Sequence, residues 1–265
     1  MSYHVKKRVL RIFETYHRPE FIGIDPLTAV RVFADPADRE FGGLIASMLS
    51  YGRVETIIRN VRNIFARINN APARFVLGTT LAEKRRTLLG FKHRFNDGDD
   101  IAVLLHGIAA ICRQDGSMEP FIFEALAQSQ TGMRGALERL SDTARKHAAE
   151  TSGNLTAGSS FLLPSPAAGS ACKRLNMFMR WMARPDDGID LGVWRSIPPS
   201  ALIMPVDTHI SRICRKEGMT MRKGADWQMA EEITAYLRLI DPDDPVRFDF
   251  SLCRAGMVNL RKETA

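Results

Sequence analysis

Apolar side chains recur along this chain at intervals of three and four residues, the spacing of helices that bury one face. Phe41, Leu44, Ile45, Met48 and Leu49 follow that rhythm. Ahead of them, Asp35-Pro36-Ala37-Asp38 offers a cap, a first-position proline and an acid near the positive end of the helix. Gly52 is placed to end this helix, and a second begins at once, with Val54, Ile57, Ile58, Val61, Ile64, Phe65 and Ile68 on one side. Residues 1–34 read as a short helix and a turn at Asp25-Pro26. Leu81 to Phe91 reads as helical. Asp99 or Asp100 is expected to cap a helix carrying Ile101, Leu104, Leu105, Ile108 and Ile111. A short helix is expected over Phe121 to Leu126, and a polar one over 132–149 with Met133, Leu137 and Leu140 inward. No period-two alternation of useful length and no internal repeat interrupts this pattern, so an all-α fold is expected.

The second half opens on Thr151-Ser152-Gly153-Asn154-Leu155-Thr156-Ala157-Gly158-Ser159-Ser160, a loop by composition and the expected lobe boundary. A hairpin-like segment, 161–184, follows. Its two prolines and Gly169 bar a helix until Ser170, and from there a helix is expected to Ala183 with Leu175, Phe178, Met179 and Met182 toward the core. On a 100° wheel Lys173, Arg180 and Arg184 fall within about 20° of one another, opposite that core. Residues 185–204 are turn-rich and look inserted. Met204-Pro205-Val206-Asp207 then leads into a helix with Ile210, Ile213 and Cys214 on one side and Arg212 and Arg215 on the other. A helix over Trp227 to Leu239 and a final one opened by Asp241-Pro242-Asp243-Asp244-Pro245, with Phe248, Leu252 and Met257 inward, complete the chain. Capping and turn chemistry account for that Asp/Pro cluster better than a metal site.

Composition narrows the function. With 265 residues and 45% apolar content, the chain can bury one large unit of two lobes. A net charge of +7 and a pI near 9.5 suit an anionic partner, nucleic acid before membrane surface. No run approaches the ~20 apolar residues of a membrane span. Met1 to Arg8 lacks an apolar signal region, so a cytoplasmic protein is expected. Cys112, Cys172, Cys214 and Cys253 are too scattered for a zinc site or an iron–sulfur cluster and read as reduced thiols. No metal, cofactor or protein partner is implied. Phe91-Lys92-His93-Arg94-Phe95 reads as a loop with two core anchors and solvated charges; the other reading is a nucleic-acid contact through charge and stacking.

Two features could carry chemistry. Asp207 stands where a helix begins, as an N-cap that accepts from free backbone N–H groups. A cap also orients its carboxylate, so this role is compatible with a working one. The loop ending at Gly169 and Ser170 opens its N–H groups onto a helix, a natural phosphate seat to which Lys173 would add.

Pro205-Val206-Asp207-Thr208-His209-Ile210-Ser211-Arg212-Ile213 resembles the V-D-T-H-[VI]-x-R-[VI] segment of the helix-hairpin-helix DNA glycosylases of endonuclease III type. Leu44 to Gly52 is similar to that family's early helix, and Val246 to Gly256 to its closing one. A closer likeness, over nearly the whole chain, is to an uncharacterised bacterial family, a domain of unknown function distantly related to those glycosylases. It is carried by Gly169 to Phe178 with Arg180-Trp181-Met182, by Asp190-Leu191-Gly192 with Trp194, and by Asp241 to Pro245. The resemblance implies a two-lobed helical fold of glycosylase type with a cleft between lobes and no iron–sulfur cluster.

It also implies a base-excision role on DNA, with RNA an open alternative. Asp207 would be the catalytic carboxylate and Lys173 an amine nucleophile or a phosphate contact. Gly169, Ser170, Arg174, Arg180, Arg184, His209, Arg212 and Arg215 would grip the strand. Tyr51, Arg53, Trp181 and Trp194 would wall a base pocket. The family's hairpin reads L-P-G-V-G with its lysine two residues on. Here the loop is Leu163-Pro164-Ser165-Pro166-Ala167-Ala168-Gly169, two residues on is Ala171, and Lys173 lies two further. A non-catalytic nucleic-acid-binding protein on the same scaffold is the alternative.

Overall fold

The computed structural model describes residues 3–153 and 155–263. Among these the fold is all-α, with thirteen α-helices and one two-stranded hairpin. In chain order these are α1 (Tyr3–Tyr16), α2 (Pro36–Met48), α3 (Val54–Arg67), α4 (Pro72–Gly78), α5 (Leu81–Thr87), β1 (Lys92–His93), β2 (Asn96–Asp97), α6 (Gly98–Ile111), α7 (Glu119–Gln128), α8 (Met133–Ser152), α9 (Ala157–Leu162), α10 (Lys173–Ala183), α11 (Thr208–Lys216), α12 (Trp227–Arg238) and α13 (Asp249–Glu263). None is long and apolar enough to cross a membrane.

The chain divides into two compact units. One joins the first 23 residues to everything from Pro166 onward; the other is Ile24–Ser165.

In the Ile24–Ser165 unit, α6 is the central element. Ile101, Ala102, Val103, Leu104, Leu105 and Ile108 are all buried, so this helix is apolar around most of its circumference. It packs against α4, α5, α8 and α9. Its cap is Asp97 rather than the expected Asp99 or Asp100. The Asp97 carboxylate accepts from the backbone of both, at 3.0 and 3.1 Å, and Asp100 reaches back to the Asp97 N–H at 3.2 Å. Gly107 sets the α6–α8 distance, since a Cβ there would stand 2.2 Å from the Ala144 carbonyl oxygen and 3.1 Å from the Ala148 Cβ. Gly107→Ala is therefore expected to force the helices apart and cost about 1–3 kcal/mol in urea unfolding; an unchanged midpoint would mean that the crossing is loose.

The expected loop at 151–160 is a correction. α8 runs to Ser152, and α9 starts at Ala157, capped by Thr156, whose hydroxyl accepts from the Ser159 N–H at 2.9 Å. The β1–β2 hairpin was also unforeseen, because strands of two residues leave no alternation to read.

In the other unit, α13 packs against α1 and α11. The expected exposed basic stripe on α10 is the larger correction, because Arg174 through Ala183 are all buried. Residues 185–194 fold back over this helix. Leu191 and Trp194 donate backbone hydrogen bonds to the Trp181 and Met182 carbonyls at 2.9 and 2.8 Å. The Trp194 ring meets Phe178 edge to face at 5.3 Å.

Candidate functional site

Asp207 caps α11 as its position suggested. One carboxylate oxygen, Oδ1, accepts from the backbone N–H groups of His209 and Ile210, both at 2.9 Å. The side chain is half-buried rather than enclosed. Its orientation is set by the helix, and its charge faces the positive end of the α11 dipole. Ile210, Ile213 and Cys214 are buried while Arg212 and Arg215 are exposed, so this helix keeps the predicted two-sidedness. His209 is half-buried against α13, where a Cβ on Gly256 would stand 3.3 Å from the His209 Cβ.

Lys173 is the first residue of α10 and is half-buried. The helix enters through Cys172 in the left-handed region at φ 46°, with no side-chain cap. The preceding loop is partly committed. Ser170 pairs with Asp226 in an isolated bridge, the Gly169 carbonyl accepts from Trp227 at 3.2 Å, and the Ser170 hydroxyl accepts from the Cys172 N–H at 3.1 Å. Gly169 itself is exposed at φ 75°.

Asp207 and Lys173 meet electrostatically at Asp249, the first residue of α13, and at Cys253 one turn on. Burial pushes the Asp249 carboxyl up to about 6, the Arg180 guanidinium pulls the other way, the Asp207 charge pushes further up, and Lys173 pulls down. Cys253 has its thiol raised by burial first and then by Asp207 and Asp249. In the sequence Cys253 is visible as one of four scattered thiols, and Asp249 lies beyond the Asp/Pro cluster at 241–245 that reads as the opening of the final helix.

Arg180 and Arg184, expected as strand contacts, do not lie on the surface. Both are buried inside an ion network. Arg180 binds Asp190 at 3.1 Å and Asp249 more closely still. Arg184 binds Asp244 at 2.9 Å, Asp187 at 3.0 Å and also Asp190, which is fully buried. Asp187 in turn meets His17, the residue after α1, at 2.8 Å. Two guanidiniums thus face four carboxylates, and burial, cations and hydrogen bonds together set their titration. Burial works against Asp187, but the His17 hydrogen bond and Arg184 hold it well below the usual carboxylate range. Burial pushes Asp190 upward against the pull of both arginines.

The sign for Asp249 follows from its raised value. Its contribution to stability is fully present below 3.8 and is lost as pH rises through about 6. In urea unfolding, wild type should lose stability between about pH 4 and 6 relative to Asp249→Asn. Parallel pH profiles would show that Asp249 titrates normally.

The other expected site residues separate. Arg174 is buried, which removes it from the expected strand contacts. Trp181 and Trp194, expected as pocket walls, are enclosed, at 0% and 2% exposure. Tyr51 and Arg53 belong to the Ile24–Ser165 unit. Tyr51 is half-buried and hydrogen-bonded through its hydroxyl, and Arg53 is exposed at the start of α3. Cys112, Cys172 and Cys214 are buried, Cys253 is half-buried, and none of the four forms a disulfide. Arg212 and Arg215 are exposed on α11, the helix that Asp207 caps, and the charges of Asp207 and Lys173 both act on Asp249.

Comparisons with curated proteins and with solved structures give no match. A family model described as a protein of unknown function, DUF2400, matches residues 25–258. That span takes in the Ile24–Ser165 unit almost whole, together with Asp207, Lys173, Asp249 and the ion network. The chain belongs to this family of proteins of unknown function.

Proposed function

We propose that the chain is a DNA-binding protein of base-excision type, which hydrolyses the N-glycosidic bond of a base turned out of the stack, with Asp207 as the catalytic carboxylate. The observation that carries this reading is the setting of Asp207. One oxygen is held by the start of α11, the side chain is half-buried, and its charge shares the surroundings of Asp249 with that of Lys173. A carboxylate fixed in this way stabilises the positive charge that grows on the sugar as the base leaves, and orients or deprotonates the attacking group. The target base has to leave the stack to reach it. The likeness of Pro205 to Ile213 to the glycosylase segment, and with it a fold of glycosylase type, belongs to the same proposal.

Lys173, Arg212 and Arg215 are the phosphate contacts of this reading, whereas the Gly169 N–H is already given to the Pro166 carbonyl at 2.8 Å. Arg174, Arg180 and Arg184 are withdrawn from that role by their burial. This loss favours the second reading, a nucleic-acid-binding protein without catalysis. The two separate in one experiment: duplexes carrying single lesions are scored for abasic sites with wild type and Asp207→Asn, and borohydride in the same reaction reports an amine adduct at Lys173. Base release that needs Asp207 supports the enzyme. Binding with no release on any lesion supports the second reading.

A further inference from the structure

The Ile24–Ser165 unit carries a surface patch that the reading above leaves unused. Phe95, in the turn between β1 and β2, is 58% exposed, and Phe161 of α9 is 39% exposed. Their rings touch edge to face, with centroids 4.7 Å apart. Tyr51 completes the group, 5.6 Å from Phe95 and 5.0 Å from Phe161. Single exposed apolar side chains are ordinary, whereas exposed rings in mutual contact form a patch.

A polar network holds the rings from beneath. The Tyr51 hydroxyl donates to Asn96 Oδ1 at 2.5 Å and lies 3.1 Å from the His93 carbonyl oxygen. His93 is fully buried, and its ring nitrogens meet Asn60 at 2.9 Å and the Tyr51 carbonyl at 3.2 Å. Asn96 donates to Asp100 at 2.9 Å, and Asp100 accepts from the hydroxyl of Thr156, the cap of the helix that carries Phe161. The hairpin, α6 and α9 therefore fix the rings in place, and little freedom is left to lose on binding.

The rim is basic. Arg53, Lys92 and Arg94 are all exposed. Arg94 lies over Gly52, where an added Cβ would stand 3.0 Å from its Nη1 and 3.1 Å from its Cδ. Its guanidinium thus rests on the turn that carries Tyr51. Of the acids at hand, Asp97 is turned into the α6 cap and Glu55 lies in the first turn of α3.

We infer that Tyr51, Phe95 and Phe161, rimmed by Arg53, Lys92 and Arg94, form a stacking platform for unpaired bases of a nucleic-acid strand. The inference rests on the nucleic-acid part of the proposed function. A base offers a flat π face, and its backbone offers a phosphate; fixed rings beside guanidinium and ammonium groups answer both. A membrane surface is the weaker match, because pinned rings with the tyrosine hydroxyl turned inward have no reach into lipid.

The test is anisotropy of a labelled oligothymidine, single-stranded and paired with its complement, titrated with the full chain. Phe95→Ala and Phe161→Ala should each weaken single-strand binding about ten-fold, with unchanged thermal unfolding. Arg94→Gln should weaken binding and flatten its salt dependence. Equal affinity of wild type and both phenylalanine variants would overturn the platform, as would binding to the duplex alone. If no single strand binds but vesicles of phosphatidylcholine with phosphatidylglycerol do, and the phenylalanine variants abolish that binding, the patch is a membrane contact instead. Phenylalanine-dependent strand binding without base release on any lesion would uphold the platform and sink only the catalytic role of Asp207.

Discussion

Arg184→Met is expected to cost about 3–5 kcal/mol of stability, the range for breaking one partner out of a buried ion network. Methionine keeps much of the side chain's length and removes all of its charge. Asp187, Asp190 and Asp244 would lose a shared guanidinium, and Asp190 is fully buried. The network already holds more acid than base, so the loss leaves one guanidinium against four carboxylates. Total stabilities of single domains run to about 5–15 kcal/mol, and a loss of this size is a large part of that. Urea unfolding measures it directly. Arg184→Lys should fall between the two, since an ammonium does not reproduce the flat fork that meets Asp190, Asp244 and Asp187 at once. The same variant distinguishes the two roles of this side chain. A surface phosphate contact would leave stability untouched and lower only the affinity for nucleic acid and its salt dependence.

The difference between those outcomes shows where a sequence can be read and where it cannot. Local signals held. Asp207 was legible as a cap because its partners lie two and three residues on, and α11 was legible as two-sided because its period is short. The α10 stripe misled because a helical wheel assumes that the side opposite the apolar face meets water. Here residues 185–194 come back over that side. They bring Asp187 and Asp190, and later segments bring Asp244 and Asp249. The acids were visible in the chain, but pairing across up to 69 positions is invisible to any helical window. Likewise, nothing near His17 announces that the first helix joins the unit built after Pro166. The stretch 151–160 misled through composition: Thr156 and Ser159, counted as loop residues, are the cap and first turn of α9. That helix carries Phe161, and so half of the exposed ring pair went unnoticed.

The second large effect concerns Asp207. Asparagine caps helices about as well as aspartate, so Asp207→Asn should leave α11 and the fold in place. It removes the charge that would stabilise the sugar cation and deprotonate a nucleophile. Losses for such groups run to about 10²–10⁴-fold. DNA affinity should hardly move, because Lys173, Arg212 and Arg215 are untouched. If borohydride traps an adduct at Lys173, the route is a lyase; if release proceeds without one, water is the nucleophile and Lys173 holds phosphate.

The most direct measurement is the rate of abasic-site formation on duplexes with single lesions, compared between wild type and Asp207→Asn at equal DNA occupancy. The account predicts release by wild type on at least one lesion and about 10²–10⁴-fold less by the variant. Equal rates from the two proteins, or no release by wild type on any lesion, would contradict it.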